Sequence, residues 1–177
     1  IGPLHESLVV LAGIDAPIVA QVHGVAAGAG LSLMLQADFV LAAEGTRFNL
    51  AYVNIGASCD VGASWALPRW VGLRRALEIA MLGDMLDAAA AERMGLVNQV
   101  LPAEALEEAV RAYAARVAAN APLTVQAAKA AVRLFERYSA ADDSAVAAAV
   151  DRCFDSADYQ EGRRAFMEKR TPTFQGR

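Results

Sequence analysis

Apolar residues in the first part of the chain occur in short runs that are separated by glycine and proline. Residues 18–22 and 39–43 are apolar runs of strand length bounded by turn residues, and residues 47–50 form a shorter third run. Between the first two lie a glycine-rich turn, residues 24–30, and a helix predicted over residues 31–36. A strand, a crossover helix and a parallel strand nearly always form a right-handed unit. The pattern predicts an α/β layer in which the first two strands are parallel neighbours.

Helical spacing of apolar residues dominates the rest of the chain. The pattern predicts one helix over residues 71–82, a second over residues 88–94 that ends at Gly95, and a short strand over residues 97–101. Four longer helices are predicted after this strand, over residues 103–119, 123–138, 141–155 and 159–169. The start of the chain, residues 1–14, has the pattern of the end of a helix.

The change of pattern divides the chain into two predicted regions. Residues 1–102 form a core α/β region, and residues 103–177 form a C-terminal helical region. In the first long helix Leu106, Val110 and Tyr113 recur at helical spacing, which predicts burial in the core or against another subunit. No internal repeat is visible in the sequence.

Composition excludes several classes of protein. The 177 residues are 56% hydrophobic and 20% charged, which is typical of a globular domain. The net charge of −4 argues against a nucleic-acid partner, because phosphate binding needs a basic surface. No apolar run reaches the roughly 18 residues that span a membrane. Cys59 and Cys153 are far apart without metal-ligand spacing, so we expect a reduced, cytoplasmic protein without a metal site.

The glycine-rich turn has the composition of an anion-binding turn. A strand leads into the small residues Gly28, Ala29 and Gly30, and a helix follows. The N–H groups of a first helical turn carry partial positive charge, and small side chains let a ligand approach them. Such a turn could stabilise an anion that develops on a substrate oxygen. Tight packing alone also explains small residues here, and the glycine pattern by itself does not separate the two.

Several motifs together resemble the crotonase (enoyl-CoA hydratase/isomerase) superfamily over essentially the whole chain. In order they are APIVAQVHGVAAGAG, ADFVLAAEGTRFNLAYVNIG, LPRWVGLRRALEIAMLGDMLDAAAAERMGLVNQV, KAAVRLFERY and SADYQEGRRAFMEKRTPTFQGR. The resemblance implies a spiral core of strand–strand–helix (ββα) turns and a C-terminal helical trimerisation region. It also implies an acyl-CoA substrate, a homotrimer or hexamer, and no cofactor, since coenzyme A is part of the substrate.

The resemblance also assigns the backbone site that would hold an enolate oxygen. By motif position, the second N–H of the family's oxyanion hole falls on Ala29, with Gly28 and Gly30 beside the bound thioester. The first N–H of the hole would fall before Ile1, so we expect the N-terminal part of the core to be missing from this chain. The sequence leaves open whether that part is truncated, disordered or supplied separately.

The resemblance favours isomerisation over hydration. The two glutamates of the family's hydratases fall on Ser32 and Tyr52, and hydration needs both an acid and a base. Asp60 lies in a stretch that resembles the Pro-Asp-x-Gly-Gly run of the isomerase branch, with Cys59 and Ala63 as departures. The resemblance implies that Asp60 is the catalytic proton shuttle. Taken alone, an aspartate here is more simply explained as a helix N-cap.

Further residues are assigned to substrate binding. Tyr52 and Trp65 are expected to line an acyl pocket, although large apolar residues are usually buried in the core. Lys169 and Phe174 match the region where the family's last helix contacts the coenzyme. The basic residues of this region can also be explained as the solvated face of a helix.

Three functions remain open at this point. The first is an acyl-CoA isomerase that shifts a double bond or opens an epoxide ring, and the resemblance is strongest to the epoxyphenylacetyl-CoA isomerases of phenylacetate catabolism. The second is a hydratase or thioesterase of the same fold, with Asp60 activating water. The third is a non-catalytic assembly protein. The acyl group is not defined by the sequence.

Overall fold

The computed structural model describes residues 2–55, 57–137, 148, 151–152 and 155–177. The helices of these ranges are α1 (Gly2–Ala12), α2 (Ala29–Met34), α3 (Ala63–Val71), α4 (Leu73–Leu82), α5 (Ala88–Arg93), α6 (Ala103–Ala118), α7 (Pro122–Arg137) and α8 (Ala157–Glu168), and a 3-10 turn covers Val53–Ile55. The strands are β1 (Val19–Val22), β2 (Val25–Ala27), β3 (Phe39–Ala43), β4 (Arg47–Asn49), β5 (Leu86–Asp87) and β6 (Gln99–Leu101). Most of the helix predicted over residues 141–155 lies outside the described residues.

The strands form two small sheets. The first has the order β1-β3-β6 with all strands parallel, and Val19 pairs with Phe39 in its register. The predicted parallel pairing of the first two apolar runs is therefore confirmed. The second sheet has the order β2-β4-β5, with β2 parallel to β4 and β4 antiparallel to β5.

The backbone contains a repeated arrangement of two strands and a corner, although the sequence shows no repeat. Strands β1 and β3 lie in the first sheet, and the strand that follows each of them, β2 or β4, lies in the second. Gly24 and Gly45 occupy the two corners with φ values of 73° and 77°, a conformation that favours glycine. The N–H of Arg47 donates to the Gly24 carbonyl at 2.9 Å and joins one corner to the next. This is the α/β spiral of ββα turns that the resemblance implied.

Two elements differ from the prediction. The stretch 24–30 was predicted as a turn, but it contains β2, which is too short and too small in its side chains to show an alternating pattern. The helix predicted over residues 71–82 is present as α4, but it begins at Leu73, and Val71 belongs to α3. Gly72, with φ 77° and ψ 159°, ends α3 and begins α4, because this backbone conformation cannot continue a helix.

The hydrophobic core lies between the sheets and helices α2 and α3. The largest apolar side chains that are fully buried come from these elements and from the segments beside them: Leu31, Leu41, Phe48, Leu50 and Leu67. Trp70 of α3 donates its indole N–H to the carbonyl of Leu35 at 2.9 Å, just after α2. The core therefore fixes the direction of α2, whose first turn begins the candidate site.

The chain forms two compact units. One comprises residues 1–14 and 18–111, and the other comprises residues 15–17 and 112–177. Within the second unit, the Lys129 ammonium donates to the Ala16 carbonyl at 2.8 Å. The division predicted after residue 102 and the trimerisation role of the helical region stay predictions. In the described part of the chain, no helix has both the length and the apolarity to cross a membrane.

Candidate active site

The glycine turn between β2 and α2 has a backbone that is fixed from both sides. Gly28 is the N-cap of α2 with φ 52° and ψ −122°, and its N–H donates to the Asn49 carbonyl at 2.9 Å. Its carbonyl accepts from the Ser32 N–H at 3.0 Å and from the Ser32 hydroxyl at 3.1 Å. Ala29 and Gly30 therefore start a helix whose first N–H groups have no acceptor within the helix.

Space is open beside this turn. A Cβ built on Gly28 or on Gly30 would meet no heavy atom within 4 Å, and Ala29 is exposed. A ligand oxygen can approach the backbone here because no side chain covers it. The sequence prediction of an approachable turn of small residues agrees with this geometry.

We expect Gly28→Ala to lower the free energy of unfolding by about 1–3 kcal/mol, since residues with a Cβ rarely adopt its conformation. Gly30→Ala is the matched control. Gly30 lies inside α2 with open space beside it, so alanine should be neutral or stabilise by up to about 1 kcal/mol. Urea unfolding of the two variants measures the difference, and equal changes would contradict the assigned backbone geometry.

The structure brings Ser32 and Tyr52 into direct contact. Ser32 is fully buried on α2, and its Oγ lies 3.0 Å from the Tyr52 hydroxyl oxygen. The Tyr52 hydroxyl also lies 3.4 Å from the Asp60 carbonyl, to which it donates. The two positions that resemble hydratase glutamates are thus adjacent, and the Asp60 segment lies next to them. The two hydroxyls carry one proton each, so at any one time they donate in two of the three contacts of this group: to Gly28, between the hydroxyls, and to Asp60.

The Asp60 segment turns sharply into α3. Oδ1 of the half-buried Asp60 accepts the N–H of the next residue, Val61, at 2.7 Å. Val61 has φ 55° and Gly62 has φ 74°, so two consecutive residues are left-handed. The N-cap of α3 is Gly62, without a side-chain cap. The alternative interpretation of Asp60 as the N-cap side chain is therefore wrong, because the carboxylate binds its neighbouring N–H instead.

Sequence reasoning missed Gln36. Its side-chain Nε2 donates to the Ser32 carbonyl at 3.2 Å and to the Val61 carbonyl at 3.4 Å, which joins the end of α2 to the Asp60 segment. The only signal in the sequence is a glutamine that directly follows an apolar run, and such a residue is ordinarily a helix end.

The predicted pocket residues separate into buried and exposed ones. The nearby Phe48 and Leu67, which the sequence allowed in an acyl pocket or in the core, are buried in the core. Trp65 is 45% exposed, and the guanidinium carbon of Arg69 lies 4.1 Å from its ring centroid. Tyr52 is half-buried, and its ring packs against the core while its hydroxyl faces Ser32.

The predicted coenzyme contacts lie in the second unit. Lys169 is exposed with φ 55°, and the Phe174 ring lies over Gly162, where an added Cβ would be 3.6 Å from the ring. Two carboxylates of α8 hold the C-terminal tail, the residues that follow α8. Asp158 accepts the N–H groups of Gln175 and Gly176 at 2.6 and 2.7 Å.

Glu161 of α8 forms the second anchor of the tail. It accepts Arg170 in a bidentate pair at 2.6 and 3.0 Å, and the Thr173 N–H at 3.1 Å. The hydrogen bond from Arg170, followed by that from Thr173, lowers the pKa of Glu161 to about 2. The tail is thus anchored around Lys169 and Phe174 at ordinary pH.

A metal centre is not supported by the described residues. Within these ranges, no three His, Cys, Asp or Glu side chains are grouped closely enough to hold an ion. The groups that lie together at the candidate site are the Asp60 carboxylate, the Ser32 and Tyr52 hydroxyls, and the backbone N–H groups at the start of α2.

The sequence of the chain matches a known protein family. The family described as enoyl-CoA hydratase/isomerase matches residues 3–177. The chain belongs to this family. It therefore has the crotonase fold.

Relatives within the family carry different names. A protein of Rhodobacter capsulatus named probable enoyl-CoA hydratase is 39% identical over 91% of this chain and 63% of its own length. The 1,2-epoxyphenylacetyl-CoA isomerase of Escherichia coli is 35% identical over 94% of this chain and 64% of its own length. The crystal structure of an enoyl-CoA hydratase from Bacillus anthracis superposes with a TM-score of 0.92 at 29% identity, covering 99% of this chain and 69% of that one. The chain thus spans a little under two thirds of the two relatives' lengths.

Proposed function

We propose that this crotonase-family chain is part of an acyl-CoA isomerase in which Asp60 carries a proton between two carbons of the acyl chain. The acyl-CoA thioester oxygen would bind at the Ala29 N–H, together with a second N–H from outside residues 1–177. The proposal extends to the ring-epoxide substrate class that the name of the Escherichia coli relative states.

The chemistry needs a single carboxylate. Asp60 takes a proton from one carbon of the acyl chain, and the electron pair of the broken C–H bond forms an enolate on the thioester oxygen. The Ala29 N–H stabilises the charge that develops on this oxygen. The protonated Asp60 then gives the same proton to the carbon two positions away, which moves the double bond and restores the carboxylate.

One observation carries the preference for isomerisation. The two positions where hydratases of the family have glutamates are Ser32 and Tyr52, and these two hydroxyls contact each other beside Asp60. A neutral hydroxyl is a far weaker base towards water than a carboxylate. The site therefore offers one base and no second carboxylate at these positions.

A second candidate is hydration. The Rhodobacter capsulatus relative is named a hydratase, and so is the (E)-benzylidenesuccinyl-CoA hydratase of Thauera aromatica, which is 35% identical over 90% of this chain. In this reading Asp60 would activate water. The names of the relatives favour it, while the two substituted glutamate positions oppose it.

The two candidates differ in the products they form. We expect the full-length protein to convert a β,γ-unsaturated acyl-CoA to its α,β isomer, and to hydrate crotonyl-CoA at a negligible rate, because Ser32 and Tyr52 supply no carboxylate. Chromatographic product analysis on both thioesters measures this. Rapid crotonyl-CoA hydration would overturn the isomerase proposal and the motif register behind it.

Coenzyme contacts and assembly belong to the same proposal. Lys169 would pair with a phosphate of the coenzyme and Phe174 would contact its apolar part. Gly28, Gly30, Tyr52 and Trp65 would lie around the acyl thioester. The protein would act in the cytoplasm as a homotrimer or hexamer built through its C-terminal helical region.

A further inference from the structure

The backbone beside Asp60 is strained. Val61 is β-branched and has φ 55°, a conformation that such residues rarely adopt and that costs about 1–3 kcal/mol. Its side chain is only 2% exposed, so the strain is not relieved at a free loop end. A strained conformation persists only where its surroundings hold it. The contacts that hold Val61 are therefore informative about the site.

Two side chains donate hydrogen bonds to this segment. Tyr52 donates its hydroxyl to the Asp60 carbonyl at 3.4 Å, and Gln36 donates its amide to the Val61 carbonyl at 3.4 Å. The Ala63 N–H also donates to the Asp60 carbonyl, at 3.1 Å. Consecutive carbonyls thus accept donors from two separate elements. Each side-chain bond is long and weak, but together they hold the two consecutive peptide groups on either side of Val61.

Both donors are also bonded to α2, the helix that begins at Ala29. Gln36 donates to the Ser32 carbonyl at 3.2 Å, and the Tyr52 hydroxyl lies 3.0 Å from the Ser32 hydroxyl. The Ser32 hydroxyl in turn donates to the carbonyl of Gly28, directly before Ala29. The Gln36 amide has two protons and therefore links α2 to the Val61 carbonyl, directly after Asp60. The Tyr52 hydroxyl has one proton, which it can give either to Ser32 or to the Asp60 carbonyl.

The geometry points to Gln36 and Tyr52 as positioning residues that hold the Asp60 carboxylate at a fixed place relative to the Ala29 turn. This inference rests on the proposed function. A base that takes a proton from one carbon and returns it two carbons away must stay at a constant, short distance from the acyl chain, which is anchored at the turn. A misplacement of about 1 Å can cost about 10²-fold in rate, so the two side chains control turnover without touching the reacting atoms.

Two variants test the positioning role. Tyr52→Phe keeps the ring, which packs against the core, and removes the hydroxyl. Gln36→Met keeps the length of the side chain and removes the donor. We expect each variant to lower kcat by about tenfold per folded enzyme with KM changed less than about twofold, since a misplaced carboxylate slows proton transfer rather than binding. Matched controls are Tyr113→Phe on α6 and Gln99→Met on β6, which should keep the parent kcat.

The deciding measurement repeats both substitutions in the Asp60→Asn background. Without a carboxylate to position, neither substitution should lower the residual rate further, so the double-mutant cycle should show full non-additivity. A role in general stability would instead lower the rate by the same factor in both backgrounds, and that outcome overturns the inference. Parent-like kcat in both single variants also overturns it.

The outcomes separate this inference from the proposed function. If Asp60→Asn itself turns over at the parent rate, the isomerase mechanism is wrong and the positioning role is lost with it. If Asp60→Asn is slow while Tyr52→Phe and Gln36→Met are as fast as the parent, Asp60 remains the proton carrier and only the positioning role fails.

Discussion

Replacing Asp60 by asparagine in the full-length protein is expected to lower the turnover of isomerisation by at least about 10²-fold. General acid–base groups typically contribute about 10²–10⁴-fold, and an amide is not a useful base near neutral pH. The fold should survive, because the asparagine side-chain oxygen can accept the Val61 N–H as the carboxylate Oδ1 does now. Capping of α3 is unaffected, since its N-cap is Gly62.

Ligand affinity separates a loss of chemistry from a loss of binding. The backbone at Ala29 and the tail around Lys169 are unchanged in this variant, so the dissociation constant of a non-reactive acyl-CoA analogue should stay within about threefold of the parent. Stopped-flow or steady-state kinetics give the turnover, calorimetry gives the affinity, and a melting curve monitors the fold.

Other carboxylates provide the control for Asp60. Glu44 is exposed in the turn after β3, so Glu44→Gln should keep the parent turnover. Asp38 has a structural role instead, since its Oδ2 accepts the N–H of Ile18 at 2.8 Å beside β1. Turnover of Asp60→Asn near the parent rate, with a normal melting curve, would show that the proposed mechanism is wrong.

Phe48→Ala is expected to lower the free energy of unfolding by about 3–5 kcal/mol, the range for truncating a fully buried phenylalanine. Phe48 is 0% exposed and lies in β4, the central strand of the second sheet. It is paired with Ala26 of β2 and Leu86 of β5 in the register of that sheet. Removing its ring leaves a cavity where both neighbouring strands meet, and urea unfolding measures the loss.

Phe39→Ala is the matched control for this prediction. Phe39 is a half-buried phenylalanine of the first sheet, so the same truncation removes less apolar area from the core. Its cost should be clearly smaller than that of Phe48→Ala. Equal costs would contradict the assignment of Phe48 to the centre of the core, and a changed m-value would show that the denatured states differ.

Much of the first sheet could be predicted from local pattern. The apolar runs that became β1 and β3 were visible, and the rule for crossover units gave their parallel pairing. The second sheet could not be predicted in this way. Strand β2 has three residues and β5 has two, and strands this short form only because backbone groups of β4 pair with them.

The residues of the candidate site also divide into those that could be predicted from the sequence and those that could not. Its residue types could be assigned from motif order, which put Ala29, Ser32, Tyr52 and Asp60 into one family pattern. The role of Gln36 could not be found, because its bond to Val61 joins residues 25 positions apart through a side chain with several rotatable bonds. The N-cap interpretation of Asp60 failed for a related reason, since the choice of cap depends on the left-handed backbone at Gly62.

The sequence by itself determined the family and the first pair of strands, and it predicted Asp60 as the candidate base. It did so because short apolar runs, glycines and motif order are local features of the chain. Only the tertiary structure decided that the Tyr52 hydroxyl meets Ser32 and Asp60, and that Gln36 reaches the Val61 carbonyl. These contacts depend on the directions in which packed helices and strands present their side chains, and no local pattern of residues encodes those directions.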